Sequence, residues 1–259
     1  MSDRGRREFV LVAAGFVVYF GVRAVTQGSR VAAAEHARSI VRFERAVGCY
    51  WEPRLQSFTT DHGWFVTLMN WVYIWGHWPV IVLAGLWLYR SRPEGFRVTR
   101  TAFFVSGAIG MLFFVAYPVA PPRLAGSGFM DTVARYSHAY RALQPPSLVN
   151  RYAAFPSLHF GWDLLIGIAL VRYARSRVAR GFGILMPAAM AIAVVTTANH
   201  WVIDVVAGGV IALVGLIAAT WMSRRWPSRI PTSDIYTARY DTDNGLKRRA
   251  PARLGPPGG

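Results

Sequence analysis

His200–Met222 reads HWVIDVVAGGVIALVGLIAATWM, an apolar run in which the only ionisable groups, His200 and Asp204, both stand at the opening. From Trp201 onward it is long enough, at ~1.5 Å per residue, to cross ~30 Å of hydrocarbon as one helix. A carboxylate at the start of such a run is expensive to bury and needs a partner or a task. His200 precedes it by four residues, the spacing that sets an imidazole and a carboxylate on one helical face.

Working outward, five further apolar runs follow the same logic. They cover about Phe9–Val25, Trp64–Tyr89, Ala102–Tyr117, His159 to just before Arg172, and Phe182–Ala198. The expected fold is therefore all-α, a polytopic membrane bundle with about six transmembrane helices. A chain that is 53% hydrophobic suits one membrane domain better than two soluble ones. The first run follows Arg4, Arg6 and Arg7 but precedes no small-residue cleavage site, so it reads as an anchor helix over 1–27. Residues 28–57 read as an amphipathic external segment, with Ala34, Ala37, Ile40 and Val41 apolar and Glu35, Arg38, Arg42 and Glu44 polar, lying along the surface. The catalytic membrane domain is expected over 58–222. The basic, Pro- and Gly-rich remainder, 223–259, reads as a disordered cytoplasmic tail.

The net charge of +16 does not point to nucleic acid, because the arginines cluster between apolar runs rather than along one aromatic-basic face. With six spans, the clusters at Arg4–Arg7, Arg90–Arg100, Arg172–Arg180 and Arg224–Arg229 fall on one face, which the positive-inside rule makes cytoplasmic. The opposite, extracytoplasmic face then gathers Pro118–Arg123 (PVAPPR), Phe155–His159 (FPSLH) and His200–Asp204 (HWVID). Arg30, Arg38, Arg42, Arg45 and Arg54 run against this orientation, and Glu35, Glu44 and Glu52 offset only part of their charge. Cys49 is the lone cysteine, which excludes an intrachain disulfide or a thiolate metal cluster.

Those three strings hold the groups that phosphoryl transfer requires. Asp204 can accept from one ring nitrogen of His200, fixing the tautomer and freeing the other nitrogen as nucleophile. His159 is placed to act as general acid, and Arg123 on its proline-stiffened stem supplies a fork-shaped donor for phosphate. Ser157 and the backbone N–H groups opening the fourth span add neutral donors. Asn70, Tyr73 and His77 share a face of the second span and form a candidate pocket wall. Asp163, one turn after His159, is expected to make a helix-buried polar contact, with tuning of His159 as the alternative. No metal-ligand spacing is present, and no cofactor is expected.

PVAPPR, FPSLH and HWVID in this order, with WEPRLQ at 51–56, resemble the type 2 phosphatidic acid phosphatase (PAP2) superfamily, in particular its inositol phosphorylceramide synthase-like branch. The resemblance covers about Ala46–Gly215 and implies a PAP2-like helical bundle. It implies His200 as nucleophile, His159 as acid, Asp204 as the residue orienting the nucleophile, and Arg123 as a phosphate ligand. The wider superfamily carries a lysine where this chain has Ala116, an arginine where it has Val194, and a glycine where it has Leu158. Arg151, and beside it Arg135 or Arg141 of the outer loop, are the candidates to replace the missing cations. The resemblance implies a lipid-phosphate phosphatase or phosphotransferase acting through phosphohistidine, with a phosphorylated lipid as substrate, the bilayer as its surroundings, and water or a polyol as acceptor. The competing expectation is a non-enzymatic lipid or small-molecule transporter using the same polar groups. That expectation calls for helices broken near the midplane and for repeated halves.

Overall fold

The computed structural model describes residues 3–26, 28–126, 128–136 and 150–226. Among them the chain is all-helical, and Met1–Met222 forms one compact unit. The helices are α1 (Asp3–Val25), α2 (Arg30–Ala46), α3 (Glu52–Asp61), α4 (Gly63–Trp75), α5 (Trp78–Ser91), α6 (Pro93–Ala116), α7 (Thr132–Tyr136), α8 (Leu158–Tyr173), α9 (Arg177–Thr196) and α10 (Val202–Arg225). Arg141 and residues 227–259 of the expected tail lie outside the described residues.

Four helices are long and apolar enough to cross a membrane: α1 from Gly5, α6, α9 and α10. The chain is an integral membrane protein. The expected second span is two helices, α4 and α5, bent by 44° at their junction, and counting them as one span raises the number to five. The break has a local cause. Pro79 sits in the first turn of α5 and has no N–H for the preceding turn, so α4 ends at Gly76 and His77 starts a new helix. The expected fourth span, α8, has 16 residues, about 24 Å of helix, which is shorter than the ~30 Å hydrocarbon core.

Three apolar clusters hold the bundle. Trp162 of α8 centres the first, with Tyr19 of α1, Ala102 and Phe114 of α6, and Ala212 of α10. Met69 and Tyr73 of α4 meet Met186, Met190 and Val194 of α9 in the second. In lipid, helix association depends on close packing rather than on expulsion of water, so small residues matter at crossings. Gly161 of α8 and Gly208 of α10 show this: a Cβ on Gly161 would stand 2.5 Å from the Gly208 carbonyl oxygen, and one on Gly208 would stand 2.1 Å from that of Ser157.

The third cluster shows what the apolar face of α2, within the expected segment 28–57, packs against. α2 buries Ala33, Ala37 and Ile40 against Val119, Ala120, Ala154 and Trp201, covering the loops that carry the polar strings. The Ala120 N–H donates to the Ala33 carbonyl, and His36 Nδ1 donates to that of Pro118 at 2.7 Å. Glu44, read from sequence as part of the solvated face, is fully buried. Its carboxylate is needed at the start of α10, described next.

Candidate active site

The turn 197–201 between α9 and α10 is the hub of the site. α9 ends at Thr196, and Ala198 takes the left-handed conformation (φ 58°) that non-glycine residues seldom adopt. This reverses the chain, points the Ala198 carbonyl at the Arg123 N–H (3.2 Å), and brings Asn199 and His200 into one cleft. Such backbone strain persists only where the surroundings enforce it. Here Trp201, fully buried, donates its indole N–H to the Ala120 carbonyl at 2.9 Å and locks the turn to the PVAPPR loop.

The opening of α10 leaves backbone N–H groups without helical partners and carries the positive end of the helix dipole. Three carboxylates satisfy them: Asp204 accepts from Trp201 N–H (2.8 Å), Glu52 from Val202 N–H (2.7 Å) and Glu44 from Ile203 N–H (2.8 Å). All three side chains are fully buried. Burial pushes the Glu44 carboxyl up to about 9, with the neighbouring Glu52 and Asp204 charges adding to the rise and the Ile203 hydrogen bond opposing it. α2 and α3 are thus anchored to the His200 turn by their acids, a role visible in the sequence only as charge.

His200 departs from the expected geometry. It precedes α10 instead of sharing a face of it, and its Nδ1 donates to the Ala154 carbonyl at 2.7 Å, whereas the Asp204 carboxylate is 3.4 Å away. A carbonyl can only accept, so Nδ1 carries the proton and Nε2 keeps its lone pair. The tautomer is fixed chiefly by backbone; Asp204 holds the turn through Trp201 and supports the imidazole from a longer distance. Burial lowers His200 to about 3, with the positive charges of Arg123 and Arg23 acting in the same direction, so the ring is a free base at neutral pH.

Two limbs of the long loop bring Arg123 and His159 to the same place. Val119 N–H donates to Tyr152 C=O (2.7 Å) and Ala154 N–H to Val119 C=O (3.3 Å), clamping PVAPPR beside the segment leading into α8. Arg123 is fixed by Asn199 Oδ1 (2.5 Å) and Asp131 (3.1 Å), a restraint that pre-orients its guanidinium. His159 stands 6.0 Å from His200 between ring centroids and stacks on Tyr73 at 4.9 Å. Arg123, Arg151, His159, His200 and Tyr73 all line one open cleft of ≈ 460 Å³.

The remaining candidates fall elsewhere. Ser157 is fully buried, and its hydroxyl caps α8 by accepting from Phe160 N–H at 3.4 Å. Asn70 exchanges hydrogen bonds with Thr132 (3.0 Å each) and ties α4 to α7. Arg135 is exposed, with its guanidinium at Met130 Sδ. His77, set at the α4–α5 break, donates from Nδ1 to Asp163 Oδ1 at 2.9 Å, both groups being buried. Its ring lies 4.4 Å from that of His159, so the buried polar contact expected of Asp163 is made to His77, which sits behind His159. The cleft also holds Arg23 of α1, which the sequence presents only as the basic end of an anchor helix.

No curated protein and no solved structure matches the chain. The PAP2 superfamily matches over residues 38–218, a stretch that contains the PVAPPR, FPSLH and HWVID strings and the acids bonded to the opening of α10. The chain therefore belongs to the PAP2 superfamily, whose activity is of phosphatase type on phosphorylated substrates.

Proposed function

We propose that this protein transfers phosphoryl groups from a lipid phosphate through a covalent phosphohistidine on His200, with the cleft opening to the extracytoplasmic face of the cell membrane. The observation that carries the reading is the Nδ1 hydrogen bond of His200 to Ala154, which leaves Nε2 unprotonated in a cleft shared with arginines and a second histidine.

In the first step Nε2 attacks phosphorus, the N–P bond forms, and the P–O bond to the lipid alcohol breaks. His159 gives its proton to the departing alkoxide. In the second step His159 takes a proton from the acceptor hydroxyl, whose oxygen bonds to phosphorus as the N–P bond breaks. Arg123 and Arg151 hold the non-bridging oxygens and stabilise the charge that spreads over them. Water as acceptor gives a phosphatase; an alcohol such as a polyol gives a transferase, the activity of the inositol phosphorylceramide synthase-like branch. The absence of cations at Ala116 and Val194 favours that branch.

The test uses the full chain purified in detergent and a panel of phosphorylated lipids, with EDTA present, for wild type and His200→Ala. Phosphate release or headgroup transfer by wild type, lost in His200→Ala, together with an acid-labile phosphoprotein trapped only in wild type, is the expected result. Equal activity of the two proteins on every lipid, or inactivity of both, overturns the reading and brings the transporter alternative forward.

A further inference from the structure

We propose that Arg23, on α1 and outside the matched residues 38–218, is a phosphate-binding residue of this cleft and completes a three-arginine anion site with Arg123 and Arg151. This rests on the reading that the cleft receives phosphate.

α1 is mostly exposed and apolar, as a lipid-facing anchor would be, yet its last turn is built into the site. Tyr19, one turn before Arg23, is buried with its ring 5.0 Å from that of Trp162, and its hydroxyl accepts from Arg23 Nη1 at 2.7 Å. The phenol thus holds one edge of the guanidinium. Beyond Arg23, Asn150 donates to the Thr26 carbonyl and ties the end of α1 to the segment that carries Arg151. At the other end Glu8 pairs with Arg100 of α6. The helix is pinned at both ends with its arginine facing the cleft.

Charge supplies the second argument. Among the described residues, those lining the cleft include Arg23, Arg123 and Arg151 and no carboxylate, while Asp131, outside that lining, pairs with Arg123 at 3.1 Å. Arg23 and Arg123 both bear on His200 electrostatically. Gathering guanidiniums at a membrane interface costs free energy unless an anion joins them, and a phosphate with several acceptor oxygens is the chemistry that fits forked donors arriving from different elements. Arg23 thereby supplies from another helix the cation that Ala116 and Val194 do not.

The test measures binding of inorganic phosphate to the purified full chain by calorimetry and by thermal shift, beside lipid-phosphate turnover. Arg23→Gln is expected to weaken phosphate binding about ten- to hundredfold, the value of a hydrogen bond to a charged group. Arg23→Lys should lie between the two. Tyr19→Phe, which keeps the buried ring, should weaken binding by a smaller factor without lowering Tm, so a folding defect in the arginine variants cannot imitate the result. Arg123→Gln sets the scale for loss of a cleft arginine. Unchanged phosphate affinity in Arg23→Gln, or no phosphate binding by wild type, overturns the proposal. Loss of binding in Arg23→Gln with turnover indifferent to His200→Ala would uphold Arg23 as an anion ligand while overturning the phosphohistidine mechanism.

Discussion

Adding one methyl group at Gly208 tests whether the distance between α8 and α10 sets the geometry of catalysis. A Cβ there would stand 2.1 Å from the Ser157 carbonyl oxygen and 2.9 Å from its carbon, both backbone atoms with no rotamer to retreat into. Reaching even the 3.0 Å limit of real Cβ contacts requires a shift of about 0.9 Å between the two chains. The displaced segment leads directly into His159, and the other side of the contact is one turn below Asp204, which holds the His200 turn. Overpacking of this kind costs roughly 1–3 kcal/mol, partly offset by the ~0.5–1 kcal/mol gained when alanine replaces a helical glycine. A misplacement near 1 Å costs about a hundredfold in rate, or ~2.7 kcal/mol of barrier. Gly208→Ala should therefore lose about a hundredfold in kcat while its Tm in detergent drops only modestly. Gly85→Ala, on a stretch of α5 with nothing within 4 Å, is the control and should keep wild-type turnover. Turnover of Gly208→Ala within about threefold of wild type would refute the claim that this contact fixes the two histidines.

Three further outcomes are expected. Glu44 titrates near 9 in the folded chain against an ordinary 4.5, so its contribution to stability is full below the lower value and is lost as pH rises toward the higher one. Glu44→Gln keeps an acceptor for Ile203 N–H, and its Tm should fall less between about pH 5 and about pH 9 than that of wild type; parallel curves would contradict the assignment. Asp163→Ala leaves the buried His77 Nδ1–H without its acceptor and should cost about 1–3 kcal/mol, with Asp163→Asn recovering most of it in thermal unfolding; equal loss in both variants would show that hydrogen bonding is not the cause. Trp201→Phe removes the donor to Ala120 and should cost about 1 kcal/mol and slow turnover, whereas a change in neither would mean that the PVAPPR loop is held without it.

The strings at 118–123, 155–159 and 200–204 were legible because each joins a helix end to a residue whose chemistry is costly at a membrane boundary. The long apolar runs were legible for the same reason, since hydrocarbon thickness dictates their length. The break at His77 could have been found: Gly76 and Pro79 flank it, and proline in the first turn of a helix marks a start. Its partner could not, because Asp163 is 86 residues away and nothing local links an imidazole in one helix to a carboxylate in another.

What the sequence by itself determined is the membrane class, the helical fold and the residue types of the site, because these follow from local periodicity, apolar length and the chemistry of individual side chains. Tertiary structure alone decided which groups meet. It gave the His200 proton to a backbone carbonyl more than to Asp204, turned Glu44 and Glu52 from surface charges into caps of α10, and brought Arg23 from an anchor helix into the cleft. Each depends on distance between segments far apart in the chain, and a buried N–H or carboxylate takes whichever partner packing brings within about 3 Å.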